Sequence, residues 1–262
     1  MNETQFYNGQ VEASNDKVPE GHGVMTYFVT TSAECPTYAG TWKNGQRHGF
    51  GVLKEVDVTY LGNWVNNFEN GYGMLKWTNG SVYEGYFVKG LRNGHGKLVF
   101  ADGSFCDGEW QNDKLMIGTK SDNRGNVYTG SFKNELYEGQ GTLISKDDHV
   151  YSGYWSEGSR NGYGTTTRAN GDVIEGLYLN DQLNGPGKVI YAGGAEYVGN
   201  FVHDQRCGRG SMLYANGDVY EGDWIEDERH GQGRLTLAKG AGFYEGQWVR
   251  DVHQKQAILQ FV

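Results

Sequence analysis

The chain has 262 residues, 42 of them Gly and only 3 Pro, and 14% of it is aromatic. Glycine at that level without a Gly-X-Y triplet excludes collagen, and the aromatic content argues against a disordered linker. A net charge of −9 weighs against nucleic acid as a partner and against a broadly basic, membrane-binding surface. The sequence has no apolar run near the roughly 20 residues that cross a bilayer, and no apolar core of a signal peptide at its start. Its cysteines, Cys35, Cys106 and Cys207, are odd in number and lack CxxC spacing, so the expectation is a reduced cytoplasmic chain without a disulfide framework or zinc site.

Self-similarity organises the rest. A phrase Tyr-x-Gly-x-aromatic recurs with its glycine at Gly9, Gly40, Gly62, Gly85, Gly108, Gly130, Gly153, Gly176, Gly199, Gly222 and Gly246. From Gly40 to Gly246 the step averages about 23 residues, and paired glycines such as Gly71 and Gly73 follow each aromatic slot. About eleven units fill one array over residues 1–262. The first, within residues 1–37, is atypical: Val11 replaces the aromatic, Gly21-His22-Gly23 arrives late, and TTSAECP intervenes before Tyr38. It reads as an N-terminal capping repeat, because terminal repeats of stacked arrays depart from the pattern.

Residues 38–248 read as regular repeats. Tyr60, Gly62 and Trp64 are spaced by two, as are Gly71, Gly73, Leu75 and Trp77, so each set lies on one face of a strand. Between them stand polar residues such as Glu84, Asp107, Glu175 and Glu221, which predicts one packed and one wet face. Asn79-Gly80, Asp102-Gly103, Asn170-Gly171 and Asn216-Gly217 predict tight hairpin turns with both residues at positive φ. The recurring glycines predict bare backbone beneath a Tyr or Trp ring of the adjacent hairpin. Leu53, Leu75, Leu98, Leu143, Val189, Met212 and Leu235 take a further inner slot. The predicted fold is therefore all-β: an elongated, twisted, single-layer antiparallel sheet of stacked β-hairpins, roughly 100 Å long at two strands per repeat.

Repeat 5 departs from the rest. Cys106 takes its tyrosine slot, Ile117 and Thr119 flank Gly118 where paired glycines belong, and the unit is one residue short. It reads either as drift absorbed by a bulge or as a kink or docking point. At the end, Lys255 and Ala257 replace the glycine pair. Residues 249–262 read as a terminal capping strand whose Ala257, Ile258, Leu259, Gln260, Phe261 and Val262 either fold back or pair with a second copy in a homodimer.

The phrase YEGDWIEDERHGQG resembles the membrane occupation and recognition nexus, or MORN, repeat, and the likeness runs from about residue 7 to 262. That resemblance implies a hairpin sheet with an aromatic groove for partner segments, as in radial spoke heads of cilia and cortical cytoskeletal scaffolds. It also allows a peripheral membrane or phosphoinositide adaptor, or a regulatory subunit of a separate lipid kinase or methyltransferase.

Catalytic and metal chemistry find no constellation in the sequence. His48 and His230 share one repeat slot, and His22 and His95 share another. Equivalent positions several repeats apart cannot converge on one ion. Gly94-His95-Gly96-Lys97 lacks the spacing of a phosphate loop. Neither an enzyme nor a cofactor is expected. The candidate binding groove is the aromatic set Tyr38, Trp42, Tyr60, Trp64, Tyr83, Phe87, Trp110, Tyr128, Phe132, Tyr151, Trp155, Tyr178, Tyr197, Phe201, Tyr220, Trp224, Tyr244 and Trp248. Acidic rims favour a helical or extended basic segment of a protein partner. The expected role is a scaffold in a cytoskeletal assembly, ciliary (axonemal, radial-spoke-like) or cortical, with membrane contact weak or indirect.

Overall fold

The computed structural model describes residues 4–12, 15–28 and 35–254, which divide into two compact units, one up to Gly125 and one from Asn126. The first unit contains β1 (Thr4–Glu12), β2 (Asn15–Phe28), β3 (Thr37–Lys43), β4 (Gln46–Lys54), β5 (Val58–Val65), β6 (Phe68–Trp77), β7 (Val82–Val88), β8 (Leu91–Val99), β9 (Phe105–Gln111) and β10 (Lys114–Ser121). The second contains β11 (Val127–Lys133), β12 (Leu136–Ile144), β13 (Val150–Ser156), β14 (Ser159–Thr167), β15 (Val173–Leu179), β16 (Gln182–Ile190), β17 (Glu196–Val202), β18 (Gln205–Leu213), β19 (Val219–Ile225), β20 (Glu228–Thr236), β21 (Phe243–Val249) and β22 (Val252–His253). Within each unit consecutive strands pair antiparallel. The described residues form no α-helix, and the all-β class read from the sequence is what the structure shows.

The turns are distributed differently from the sequence expectation. At Asn79-Gly80 only Gly80 has positive φ, at 94°. Four residues separate β6 from β7, and Trp77 N donates to Ser81 O while Gly80 N donates to Trp77 O. The two-residue turns with both residues at positive φ lie inside the repeats from the second onward, for example Asn66 at 51° with Asn67 at 71°, and Arg250 at 48° with Asp251 at 66°. Register decides this. Val65 pairs with Phe68, so only two residues remain to reverse the chain, and the primed turn matches the strand twist. The geometry is imposed even on Arg250, a residue type that rarely adopts it.

The two glycines of a pair have different tasks. Between the Gly62–Gly73 and Trp64–Glu69 partners, β5 carries one residue and β6 carries three, so β6 bulges. Gly71 sits in that bulge at φ 80°, where a side chain is strained. Gly73 instead makes room. A Cβ there would lie 2.4 Å from the hydroxyl oxygen of Tyr60, and one on Gly62 would lie 2.6 Å from the same atom. The covering ring thus belongs to the same hairpin as the glycines, rather than to the adjacent one expected from the sequence. Its hydroxyl donates to Asn63 O at 3.0 Å, the carbonyl of the residue opposite the bulge. The same bond runs from Tyr38 to Thr41, Tyr128 to Ser131 and Tyr220 to Asp223. Where Cys106 replaces the tyrosine, a Cβ on Gly108 would still lie 2.2 Å from Ile117 O, so the close backbone approach alone excludes a side chain. This short repeat keeps Gly108 opposite Gly118 by shrinking its bulge by one residue.

The neighbouring repeat supplies the other contact. Trp64 packs edge-to-face on Tyr60 (5.1 Å) and on Tyr38 of the repeat before (5.3 Å), and its Nε1 donates to Gly51 O. Tyr197, Phe201, Tyr220 and Trp224 repeat the arrangement in the second unit. Repeat 1 joins through Tyr7, which meets Trp42 at 5.7 Å, with Gly9 opposite Gly23. Within each unit a hairpin is thereby completed by its neighbour, and its rings are not buried by its own two strands alone.

Two outcomes follow from this packing. Gly73→Ala should lower stability by about 1–3 kcal/mol in denaturant titration through overpacking, whereas Gly193→Ala, with no atom within 4 Å of the added Cβ, should be close to neutral. Burial pushes the hydroxyls of Tyr38, Tyr83, Tyr128, Tyr151, Tyr197 and Tyr220 up to about 12. Unfolded tyrosine ionises near 10. Their contribution is therefore complete below about pH 10 and is lost as pH rises through about 12. Phenolate absorbance and loss of circular dichroism should rise together across that interval.

Candidate functional site

Over the rings lies a second periodic feature, which the sequence analysis did not single out. Arg47, Arg92, Arg160, Arg206 and Arg229 each stand two residues before the first glycine of a pair. Each extends towards the turn of the following repeat. Arg206 N and Nε both donate to Asp227 Oδ1, at 3.0 and 2.9 Å, and Nη2 donates to Asp227 O at 2.8 Å. Arg92 binds Asp113, Arg229 binds Asp251 and Arg160 binds Asp181 in the same three-point manner. Arg47 meets Asn67 instead, through its N and Nη2. The guanidinium planes lie over the next repeat's ring, 4.3 Å from Trp64 for Arg47 and 4.4 Å from Trp224 for Arg206. A planar fork can bond two acceptors and stack at once, which an ammonium cannot. The signal was present in the sequence as Arg at one slot and Asp at the second turn position some 21 residues later. It was missed because charge at such positions ordinarily reads as solvated surface.

The predicted groove residues occupy the inner face, and most of their area is spent on packing. Tyr38, Tyr83, Tyr128, Tyr197 and Tyr220 are 0% exposed, and nearly all the other predicted rings are buried, Tyr244 being half-buried. In the second unit the inner face forms a concavity of about 900 Å³. It brings together Tyr151, Trp155, Tyr178 and Phe201 from the predicted set, with Arg160, Arg206, Asp181, Asp204 and Asp227. The remaining predicted rings are not part of it. Ala257 to Val262, the predicted oligomerisation strand, lie outside the described residues. The opposite face is less uniformly wet than expected, since Phe50, Tyr72, Tyr86, Tyr154 and Tyr163 are exposed there.

Electrostatics hold the rim. Partial desolvation raises the Asp251 carboxyl, but the backbone amide, side-chain bond and charge of Arg229 outweigh it and hold the carboxyl below the ordinary aspartate range. Along the opposite ends of the strands, Asp172 accepts from Ala192 N at 3.0 Å and Asp218 from Ala238 N at 2.8 Å, tying loop to loop. Among the described residues, no group of three or more His, Cys, Asp or Glu is arranged to hold a metal ion. Asp227→Ala should cost about 1–3 kcal/mol, because it strips Arg206 of its charged acceptor. Asp227→Asn should retain most of the stability, on the precedent of Asn67 beneath Arg47, and denaturant titration of the two variants measures the difference.

Comparison with known proteins agrees with this geometry. The MORN repeat family model matches residues 15–28, 38–54, 60–82, 83–105, 128–150, 151–173, 175–196, 197–219, 220–242 and 244–253. The unmatched stretch between 105 and 128 covers most of the irregular repeat 5. No curated protein matches the chain. Solved structures similar to it include the TCP domain of SAS-4 from Drosophila melanogaster, in complex with a proline-rich motif of Ana2. That match has 10% identity, covers 68% of this chain and 84% of that one, and has a TM-score of 0.35. The TCP10 domain of Danio rerio CPAP is similar at 11% identity, covering 75% of this chain and 89% of that one, with a TM-score of 0.34. Likenesses this distant carry no argument about binding. The family match spans well over half of the chain, and its segments coincide with the hairpins and their paired glycines, so the chain belongs to the MORN repeat family.

Proposed function

We propose that this chain is a non-enzymatic, protein-binding repeat scaffold, working in a ciliary or cortical cytoskeletal assembly. The observation that carries the binding role is the concavity of the second unit, where ring edges, arginine forks and aspartates share one surface. Its walls are pre-organised: Arg160 and Arg206 are each fixed at three points, so a partner segment would meet a surface already ordered. Aromatic side chains and arginine are the residue types that supply most binding energy at protein interfaces. The cytoskeletal setting rests on the resemblance of the repeats to those of radial spoke and cortical scaffolds. Homodimerisation through Ala257–Val262 belongs to the same reading.

The phosphoinositide-adaptor reading needs a cluster of free cations. In its two basic pairs, Lys43 with Arg47 and Arg206 with Arg209, each arginine faces an internal partner, and Lys43 is the one left without such a partner among the described residues. Arg47 lies over Trp64, Arg206 is tied to Asp227, and Arg209 stands 3.7 Å from Asp223. Proximity labelling of the tagged protein in its native cell, with imaging alongside, tests the proposal. The expected result is enrichment of axonemal or cortical proteins, with a basic segment of one of them binding the purified chain. Enrichment of membrane proteins and lipid-modifying enzymes, with pelleting on phosphoinositide vesicles at physiological salt, would replace the scaffold reading with the adaptor.

A further inference from the structure

In the second unit the arginine slot is filled on β14, β18 and β20, and holds Tyr137, Leu183 and His253 on β12, β16 and β22. Among the described residues, Leu183 is the one of these three that faces a turn aspartate. On β16 the slot holds Leu183, between Arg160 of β14 and Arg206 of β18. The turn residue that faces it is nevertheless an aspartate, Asp204. The backbone half of the usual clasp is intact: Leu183 N donates to Asp204 Oδ1 at 2.8 Å, and Asp204 N donates to Leu183 O at 3.0 Å. The guanidinium half is missing. At Asp227 the same carboxylate oxygen also accepts Nε, and the main-chain carbonyl accepts Nη2. At Asp204 no side chain among the described residues occupies either place, and the residue is exposed.

The surroundings suit a guest. Leu183, Phe201, Ile174 and Val189 make an apolar floor, Leu183 being only 3% exposed, and all of them line the concavity together with Asp204. The charged groups that line it are otherwise matched: Arg160 with Asp181, Arg206 with Asp227, and Arg168 with Asp172, which stands just behind the lining. Asp204 is the anion left over. Its carboxylate and carbonyl offer the acceptor pair that the chain's own arginines bridge in the slots on either side.

We propose that Asp204 is the docking point for an arginine side chain of a partner protein, which completes the array from outside. The inference rests on the scaffold reading and specifies the chemistry of the partner segment. Arginine fits rather than lysine, because the two acceptors require a planar donor fork over an apolar floor.

The test uses the full chain, isotopically labelled, and the peptide Gly-Ser-Arg-Ser-Gly with its glutamine counterpart as probes. Amide resonances of Leu183 and Asp204 should shift with the arginine peptide, and about tenfold more weakly with the glutamine one. Asp204→Asn, which keeps the bond to Leu183 N as Asn67 does for Arg47, should weaken the arginine response about tenfold. Leu183→Arg fills the slot from within: it should abolish the response and raise Tm by a few degrees. If both variants bind the arginine peptide like the unmodified chain, the docking point is not Asp204. If Leu183→Arg loses the probe but retains every partner found by proximity labelling, the slot proposal fails while the scaffold reading stands. Loss of one such partner together with the probe supports both. Absence of any protein segment that binds the unmodified chain overturns the scaffold reading and the slot with it.

Discussion

The structure depends on one close contact: a tyrosine ring lying flat across two glycines that face each other on paired strands. Tyr60 over Gly62 and Gly73 leaves no space for even a methyl group at either position. A flat ring on bare backbone buries a large apolar area without a second layer of chain, which is how a single sheet can have a core. The bulge that lets the ring sit there interrupts the ladder, and the tyrosine hydroxyl returns a donor to the carbonyl opposite the bulge.

From that contact the rest propagates by neighbours. The next repeat's Trp or Phe closes edge-to-face on the tyrosine, an arrangement worth about 0.5–1.5 kcal/mol beyond area burial. The arginine above then clasps the next turn. Each of these interactions joins repeat to repeat, so stability within a unit is a sum of hairpin and interface terms. The same logic explains why one repeat can lose its tyrosine. In β15 Ile174 takes that slot, and Leu183 and Phe201 move over Gly176 and Gly187 in its place. A repeat whose neighbours hold it can vary its own slots, and variation of that kind creates the unmatched aspartate at Asp204.

The inner face is thus made of structural residues that also form a surface. Rings predicted as a groove spend nearly all their area on one another, and what the concave face presents is largely the polar layer above them. Recognition on such a face is a matter of which arginine slots are filled and which acids are left over.

The period of about 23 residues, the alternation of Tyr60, Gly62 and Trp64, and the paired glycines were enough to determine the hairpin repeat and which residues lie inside, because strand periodicity alone assigns a face. Three things were decided only in three dimensions. Which ring covers which glycine depends on the bulge, whose extra residues are invisible without the register. Which turn carries positive φ depends on how many residues the ladder leaves unpaired, and this overrode the preference of Asn-Gly. The arginine clasp joins residues about 21 positions apart, and it becomes a contact only when one repeat is stacked upon the next.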